Sequence, residues 1–345
     1  MLDPNVMTLG DLESLAEAAL EPRAWAYYSG GAGDERTLRQ NTDAWARRTL
    51  TWRVLGDMAP IDTSTTLLGT PVALPIGIAP TALHGLAHPD GEVATARAAA
   101  RAGALYVFST LATRPMEDVA AIDGPRWFQL YAHHDRGIAE DLVRRAVDCG
   151  FTAIVVTVDL PVFGRREREL RGGFAPGEPR EYGCLAGYEG AAENLHVFRV
   201  TWRDLDWLRG LTDLPLVVKG VLAPEDAAAA CEHGVDAVWV SNHGGRQLDR
   251  APATVDVLEA CADAVAGRAE VYVDGGIRRG TDVLAAAGLG ARAVFAGRPW
   301  LYALAAGGEE GIEHVASILR AELETAMAVL GTPTLADVSR CVISP

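Results

Sequence analysis

The chain has 345 residues, of which 49% are hydrophobic and 22% charged, so it can form one large core and is neither a disordered nor a fibrous protein. At roughly 100 to 200 residues per domain, this length allows two ordinary domains or one large barrel. Its 31 basic and 46 acidic residues give a formal net charge of −15, which would repel nucleic-acid phosphates and anionic lipid and argues against both as partners.

The two termini of the chain and its cysteines indicate the cellular compartment of the protein. The segment MLDPNVMTLGDLESLAE carries acids where a secretory signal needs positive charge, and no apolar run approaches the roughly 18 residues of a membrane span. The five cysteines include no C-x-x-C pair, which favours reduced thiols over a redox or metal site. The final VISP is not a peroxisomal S-K-L-type signal. We therefore expect a cytoplasmic protein without a membrane segment.

The region 1–75 is predicted to be an N-terminal extension, with one helix near 8–20, a second near 22–30, and a polar segment over 34–55 that lacks the pattern seen afterwards. From residue 75 onward, β-rich runs recur, most of them followed by alanine-rich amphipathic stretches that end in glycine. There are eight such runs, at 75–79, 104–109, 126–131, 153–159, 215–219, 236–242, 270–275 and 292–297.

Eight strand-then-helix units predict an α/β fold, the (β/α)8 TIM barrel, as a single domain over 1–345 with a helical N-terminal extension. An open doubly wound sheet is the alternative, but PIGIAPTALHG lacks the G-x-G-x-x-G turn that would favour it. An insertion after the fourth strand, 164–207, is rich in charge, glycine and proline. Because it follows the carboxyl end of a barrel strand, we interpret it as an active-site loop rather than a linker.

Polar residues and glycines collect where the predicted strands end, on the face that carries the chemistry of a barrel. Lys219, the only lysine in the chain, closes the fifth run, which suggests a position that needs a compact ammonium rather than a planar guanidinium. The strand-end residues are Ala79, Pro80, Thr81, Ser109, Gln129, Tyr131, Thr157, Asp159, Lys219, Ser241, His243, Asp274, Gly297 and Arg298.

The turns after the seventh and eighth strands, DGGIRRG and AGRP, pair glycines with arginines. Barrels often bind phosphate between these two strands, through backbone N–H groups and a helix N-terminus. Glycines also serve tight turns for geometric reasons alone. Two such turns, each with an arginine, favour a phosphate site.

The densest cluster, VSNHGGRQLDRAPAT, follows the sixth strand. Here His243 and Arg246 stand three residues apart, so an imidazole for proton transfer lies beside a guanidinium suited to a carboxylate. Asp159 could orient that imidazole or cap a loop, and the residues alone leave both interpretations open. Arg165 and Arg166 place a second cation near the pocket, although most charge runs are solvated faces.

Several separated motifs, in order, resemble the FMN-dependent 2-hydroxy acid oxidase and dehydrogenase family, which includes glycolate, lactate and mandelate oxidases. They are PIGIAPTALHGLAHPDGE, FQLY, TVDLPVFGRRERELR, VKGV, SNHGGRQLD, DGGIRRGTDV and GRP, and the likeness runs from about Tyr27 to the C-terminus. Agreement of several motifs is far more specific than any one of them.

The resemblance implies FMN over the barrel mouth, with Lys219 beside N1 and O2 of the ring, where a cation would stabilise the reduced flavin. It assigns Ala79, Pro80 and Thr81 to the face of the isoalloxazine. The other implied cofactor contacts are Gly276, Arg278, Gly297 and Arg298 for the phosphate, and Ser109, Gln129, Thr157, Ser241 and the strand-end Asp274 near the ring or ribityl chain.

For the substrate, the resemblance implies a carboxylate held by Arg246, Arg166 and Tyr27, with Tyr131 near the 2-hydroxyl. His243 is then the base and Asp159 its partner. The implied reaction oxidises a 2-hydroxy acid to a 2-keto acid, and the sequence leaves open whether His243 takes the hydroxyl proton during hydride transfer or the α-proton in a carbanion route. The family also implies a homotetramer.

Departures from the family pattern bear on the substrate. Leu111 replaces a tryptophan of glycolate-type members, and together with Phe163 it predicts room for a bulky or aryl, mandelate-like side chain. Ala79 is typical of members that use O2. The alternatives are a dehydrogenase with another acceptor, an oxidase of an elaborated biosynthetic intermediate, and a Schiff-base lyase using Lys219 on a phosphate-binding barrel.

Overall fold

The computed structural model describes residues 5–52, 54–55, 59–174, 182–188, 200–339 and 343–344. Within them, eight parallel strands pair in chain order and close into a barrel, with the last strand paired to the first. The predicted (β/α)8 barrel is confirmed, and each predicted run overlaps a strand whose ends lie within two residues of the expected ones. The strands are β1 (Leu74–Ile78), β2 (Ala104–Ser109), β3 (Arg126–Leu130), β4 (Ile154–Thr157), β5 (Leu216–Val221), β6 (Ala237–Val240), β7 (Glu270–Val273) and β8 (Ala293–Ala296).

The interior of the barrel is filled by large side chains that alternate along the strands. Trp127, Trp239, Tyr272 and Phe295 are fully buried there, and the rings of Trp239 and Phe295 lie 3.9 Å apart, centroid to centroid. A hairpin formed by strands Thr65–Leu67 and Thr70–Val72 adds Leu67 and Val72 to the same cluster. The barrel is therefore a packed core with no axial pore, and its chemistry is confined to one face.

Helices surround the barrel, and their apolar faces form a second, outer core against the strands. The two helices predicted in the extension are confirmed, and a third lies in the polar segment that the sequence left unassigned. The helices are α1 (Asp11–Ala19), α2 (Pro22–Ser29), α3 (Arg36–Arg47), α4 (Gly91–Ala102), α5 (Met116–Ala120), α6 (Arg136–Asp148), α7 (Glu167–Arg171), α8 (Trp202–Arg209), α9 (Pro224–Glu232), α10 (Thr254–Val265), α11 (Gly280–Gly288) and α12 (Arg298–Leu330). Single turns of 3-10 helix occupy His84–Leu86, Gly183–Leu185, His243–Gly245 and Leu335–Asp337.

The predicted insertion over 164–207 is described in three parts, and 175–181 and 189–199 lie outside the described residues. Its first part contains α7, and its last part is the start of α8, which leads into β5. The middle part is anchored to the barrel wall, because Arg145 Nη1 donates to Cys184 O at 3.0 Å and the Tyr188 hydroxyl donates to Asp141. Its function as an active-site loop stays a prediction, although its first part reaches the site.

A short antiparallel pair, Thr49–Leu50 with Ile343–Ser344, joins the N-terminal extension to the end of the chain. The extension also packs on the barrel mouth, since α3 contacts the His243–Gly245 turn. None of the helices in the described ranges combines the length and the apolar character that crossing a bilayer requires.

Candidate active site

A cavity of about 960 Å³, counting the space at its open mouth, lies at the carboxyl ends of the barrel strands. Its size suits a nucleotide-like cofactor together with a small ligand. Most of the residues that the sequence singled out lie in its wall. These are Tyr27, Ala79, Pro80, Thr81, Ser109, Leu111, Tyr131, Phe163, Arg166, Lys219, His243, Arg246, Asp274, Gly276, Arg278, Gly297 and Arg298.

The turn that carries His243 has an unusual backbone. His243, Gly244 and Gly245 have φ angles of 57°, 64° and 74°, so three consecutive residues adopt the left-handed conformation. Glycine adopts it without cost, whereas a non-glycine residue there stores strain. The His243 N–H donates to Ser241 Oγ at 3.1 Å, and the Gly245 N–H donates to Asn242 Oδ1 at 3.1 Å. These bonds hold the imidazole over the cavity.

Asp159 lies behind the imidazole and not in the cavity wall. Its Oδ1 is 2.9 Å from His243 Nδ1, which fixes Nδ1 as the protonated nitrogen and leaves Nε2 to accept a proton. Burial lowers the pKa of His243, and the charge of Asp159 opposes that effect without cancelling it. Burial raises the pKa of Asp159, but the charge and hydrogen bond of His243, the charge of Lys219 and a backbone hydrogen bond together outweigh burial, so this pKa lies below its ordinary value. The orienting interpretation of Asp159 is the one that the geometry favours.

Lys219 belongs to a buried chain of polar groups at the floor of the cavity. Its Nζ donates to Ser241 Oγ at 2.9 Å and lies 3.2 Å from Asp274 Oδ2, while Ser241 Oγ donates to Asp274 Oδ1 at 2.7 Å. Ser241 therefore supports Lys219 and Asp274 from behind the wall. A cation held by both partners has little freedom, so its charge stays directed at one point of the cavity.

Two arginines share one buried carboxylate beside His243. Arg246 Nη2 donates to Glu169 Oε1 at 2.8 Å, and Arg166 Nη1 lies 3.5 Å from the same oxygen. Arg246 Nη1 also donates to Tyr27 O and Gly30 O, at 2.7 and 3.0 Å, and Arg166 Nε donates to Arg246 O at 3.0 Å. Both guanidinium groups are thus fixed in place while they still face the cavity. Arg165 has a side chain that is 77% exposed, so only the second arginine of this pair contributes.

The turns predicted to hold phosphate also line the cavity. At Gly276, φ is +91° and an added Cβ would lie 2.2 Å from Asn41 O, so only glycine allows this close approach. No side chain caps the N-terminus of α12, which begins at Arg298. The Arg298 guanidinium donates to Tyr28 O, Gly244 O and Gly30 O at 2.8 to 3.0 Å. In addition to facing the predicted phosphate site, Arg298 therefore ties α2 to the His243 turn.

Two further predicted residues lie beneath the cavity. Gln129 is 1% exposed, and its side-chain oxygen accepts from Ser109 Oγ at 3.1 Å. Among the described residues nothing accepts a hydrogen bond from Gln129 Nε2, although this atom is buried. Thr157 is buried at the end of β4, in register with Lys219. A buried donor without a partner costs about 1 to 3 kcal/mol, so Gln129 indicates a ligand with acceptors over the strand ends.

Part of the cavity wall is apolar. Leu111, Leu160 and Phe163 contribute to it, and Leu111 and Leu160 are almost fully buried. Burial raises the pKa of Tyr131, as do the neighbouring Asp159 and Tyr27, so its phenol stays neutral and can donate a hydrogen bond. The cavity wall therefore combines groups that can bind an anion with apolar side chains, and His243 lies in the same wall.

Sequence reasoning missed Glu169, Gln247 and the paired amides of Asn41 and Asn242. Glu169 follows Arg166 at the i,i+3 spacing of a helical ion pair, and that signal could have revealed it. Gln247 accepts from Arg166 Nη2 at 3.1 Å and donates to Asp159 O at 2.7 Å. Asn41 and Asn242 exchange two amide hydrogen bonds of 2.9 and 2.7 Å, yet they lie 201 positions apart in the chain, and no local pattern connects them.

The charges of the cavity test whether FMN fits. Its described wall carries five cations and one carboxylate, Asp274, and two more carboxylates, Asp159 and Glu169, lie directly behind it. Two positive charges are therefore uncompensated. Burial and the neighbouring arginines lower the pKa of Arg298 to about 10. A phosphate at the two turns would balance the excess positive charge, and acceptor atoms of the ligand over Gln129 would accept the hydrogen bond of its Nε2. The residues therefore fit FMN.

Comparison with known proteins agrees with this geometry. A model of the FMN-dependent dehydrogenase family matches residues 16–345. The chain is 45% identical to an L-lactate oxidase of Nostoc sp. over 96% of each chain, and 44% identical to a peroxisomal (S)-2-hydroxyacid oxidase of Arabidopsis thaliana over 97% of this chain and 96% of that one. A mandelate oxidase solved with (S)-2-phenylpropionate superposes with a TM-score of 0.91 at 41% identity, covering 99% of this chain and 98% of the other.

The fold and the site define a flavin-binding barrel oxidoreductase. The chain belongs to the FMN-dependent dehydrogenase family, its cofactor is FMN, and its relatives are 2-hydroxy acid oxidases. This membership confirms the resemblance and leaves the Schiff-base lyase without support.

Replacing Asn41 tests whether the extension supports the site. In Asn41→Leu both amide atoms of the buried Asn242 lose their Asn41 partners, so we expect the free energy of unfolding to fall by about 1 to 3 kcal/mol. Urea unfolding of the holoenzyme measures this change. Gln40→Leu makes the same exchange at an exposed position of α3 and is expected to stay within about 0.5 kcal/mol of the wild type. Equal effects of the two variants would contradict a specific role of the amide pair.

Proposed function

We propose that this protein oxidises (S)-2-hydroxy acids with a bulky or aryl side chain to 2-keto acids, and that O2 takes the electrons from reduced FMN and leaves as H2O2. The observation that carries the proposal is the His243–Asp159 pair beside two cavity-facing arginines and an apolar wall. The stereochemistry is supported by relatives named as (S)-2-hydroxyacid and L-lactate oxidases.

The substrate carboxylate binds between Arg166 and Arg246. Both guanidinium groups are preoriented by backbone carbonyls and Glu169, so little freedom is lost when a carboxylate takes their remaining N–H groups. Tyr27 lies under Arg246, with 5.0 Å between the guanidinium carbon and the ring centre. The neutral phenols of Tyr27 and Tyr131 donate to the oxygens of the acid.

His243 acts as the general base. Its Nδ1 is held by Asp159, which leaves Nε2 toward the ligand, and its lowered pKa keeps the imidazole neutral near pH 7. Once Nε2 takes a proton from the substrate, the Asp159 carboxylate stabilises the positive imidazolium at 2.9 Å. The same geometry serves removal of the hydroxyl proton or of the α-proton.

Bound FMN supplies the two-electron acceptor, and the residues of this chain position it. Lys219, held by Ser241 and Asp274, directs a positive charge at the ring. Gly276, Arg278, Gly297 and Arg298 hold the phosphate, and Gln129 Nε2 finds its acceptor in the ligand. The remaining cofactor contacts are Ala79, Pro80, Thr81, Ser109 and Thr157.

The substrate side chain lies against Leu111, Leu160 and Phe163. These side chains offer apolar surface and no hydrogen-bonding groups, which favours an aryl or branched group over the hydrogen atom of glycolate. The structural likeness to mandelate oxidase supports this choice. The use of O2 rests on Ala79 and on the oxidase relatives. The homotetramer and the cytoplasmic location stay predictions, which size-exclusion chromatography and cell fractionation would test.

Anaerobic flavin bleaching tests the substrate class. We expect (S)-mandelate and 4-hydroxymandelate to reduce the wild-type flavin with kcat/KM at least about tenfold above that of glycolate, because each buried methylene contributes about 1 to 3 kcal/mol. Leu111→Trp should fill the apolar side and reverse this preference. Measuring H2O2 in air checks whether O2 is the electron acceptor, since we expect one equivalent of H2O2 for each equivalent of keto acid formed. Faster reduction by glycolate in the wild type, or a lack of peroxide, would contradict the respective part of the proposal.

Replacing His243 tests the base. In His243→Ala we expect FMN to stay bound, since the imidazole is not needed for the phosphate or ring contacts, while reduction by substrate slows by about 100-fold or more. Stopped-flow absorbance of the anaerobic flavin measures the rate. Reduction at the wild-type rate would rule out this role.

Replacing Asp159 changes the pH dependence. Asp159 raises the pKa of His243, while burial, Lys219 and Arg166 lower it. The acid limb of kcat/KM in the wild type should therefore lie below the ordinary histidine value of 6.5. In Asp159→Asn the negative charge that raises the pKa of His243 is lost, so the acid limb of kcat/KM should move to still lower pH. The plateau value of kcat/KM should fall by roughly ten- to a hundredfold, because the imidazolium formed during the reaction loses its partner.

The chain offers a matched control for this change. His233 Nδ1 lies 2.8 Å from Asp206 Oδ1 in a surface pair outside the cavity. Asp206→Asn removes the same kind of partner and should leave the pH profile unaltered. A shift of the Asp159→Asn limb to higher pH would contradict the assigned electrostatics.

A further inference from the structure

Glu169 is a buried carboxylate next to the two arginines that we propose bind the negatively charged carboxylate of the substrate. Only 5% of its side chain is exposed, and it lies behind the cavity wall, not in it. Its Oε1 accepts from Arg246 Nη2 at 2.8 Å and lies 3.5 Å from Arg166 Nη1. The two arginines that face the substrate carboxylate therefore carry two positive charges, and one of these is already neutralised from behind.

The backbone around Glu169 is also anchored. The Phe174 N–H donates to Glu169 O at 2.9 Å, and the adjacent Arg168 joins α7 to Ser29 Oγ of α2 and to Glu35, directly before α3, at 3.1 and 2.5 Å. The carboxylate itself is held by Arg246 and, at longer range, by Arg166. Together Arg166, Arg246 and Glu169 carry a net charge of plus one toward the ligand.

The apolar part of the cavity wall offers no hydrogen-bonding group to a second anionic group. It is formed by Leu111, Leu160 and Phe163, and the Phe163 ring centre lies 5.6 Å from the guanidinium carbon of Arg166. The other three cations of the described wall are Lys219, which is paired with Asp274, and Arg278 and Arg298 at the proposed phosphate turns. A second carboxylate on the substrate would therefore be buried without a partner, which is strongly unfavourable.

We propose that Glu169 makes this site select monoanionic 2-hydroxy acids and reject 2-hydroxy dicarboxylates, by cancelling one of the two guanidinium charges that face the ligand. This inference rests on the proposed function and names the charge of its substrates. Glu169 is a positioning residue, because it acts on the ligand through Arg166 and Arg246. Without its charge, the arginine pair would carry two positive charges and would suit a dianion.

Two ligands that differ by one carboxylate test the proposal on the oxidised holoenzyme. The probes are 2-phenylpropionate, a monoanion, and phenylmalonate, a dianion at pH 8, and their dissociation constants are read from the perturbed flavin absorbance. In the wild type we expect phenylmalonate to bind at least about tenfold more weakly. In Glu169→Gln the ratio of the two constants should change by about tenfold in favour of the dianion, a modest estimate for one charge a few ångströms away.

The ratio separates charge from shape, because a general loosening of the arginines would weaken both ligands alike. Glu169→Asp keeps the charge and should keep the wild-type ratio within about threefold. Glu167→Gln, a neighbour on α7 whose carboxylate is 38% exposed and pairs with Arg171, is the matched control and should leave the ratio unchanged.

An unchanged ratio in Glu169→Gln, or equally tight binding of phenylmalonate by the wild type, would overturn the proposal. The wild-type measurement decides even if a variant fails to fold. Failure of the proposed function would look different, since no 2-hydroxy acid would then bleach the flavin whatever the binding ratio.

Discussion

The barrel mouth depends on buried guanidinium, backbone and amide groups that form hydrogen bonds with the N-terminal extension. The end of α2 supplies Tyr27 O, Tyr28 O and Gly30 O to the guanidinium groups of Arg246 and Arg298. The Ala32 N–H donates to Gly245 O at 2.8 Å. Unpaired groups of this kind are costly in the interior, so the His243 turn and the extension are expected to be stable only together. The extension is thus part of the active site and not an appendage.

The same contacts explain how a strained turn is maintained. His243 and the two residues after it hold left-handed backbone angles. Asn242, directly before them, is held by Asn41 on α3 and by Pro252 O, to which its Nδ2 donates at 2.9 Å. Trp45 of α3 donates to Gly275 O at 2.8 Å, so a single helix supports both the histidine turn and the proposed phosphate turn. The position of the base and the binding of the cofactor are therefore expected to be coupled through α3.

Charge placement gives the site its chemistry. The chain has a net charge of −15, yet the cavity gathers five cations with too few carboxylates to balance them. Burying cations in excess is tolerable when anionic ligands supply negative charge, and a phosphate and a carboxylate are such ligands. Asp274 pairs with Lys219, Glu169 is shared by Arg166 and Arg246, and Asp159 holds the imidazole of His243. The remaining positive charge faces the ligands.

The sequence by itself determined the barrel, because alternation of β-rich runs with amphipathic helices is a local pattern. It also identified Lys219, His243 and Arg246, since residues at strand ends must meet on one face of a parallel barrel. It could not reveal α3, whose buried side includes Thr37 and Asn41, because these polar residues interrupt the apolar period of a helix. Only the tertiary structure decided which charges pair. Glu169 and Arg246 are 77 positions apart, and Asn41 and Asn242 are 201 apart, so their contacts follow from how the chain closes and not from any local spacing.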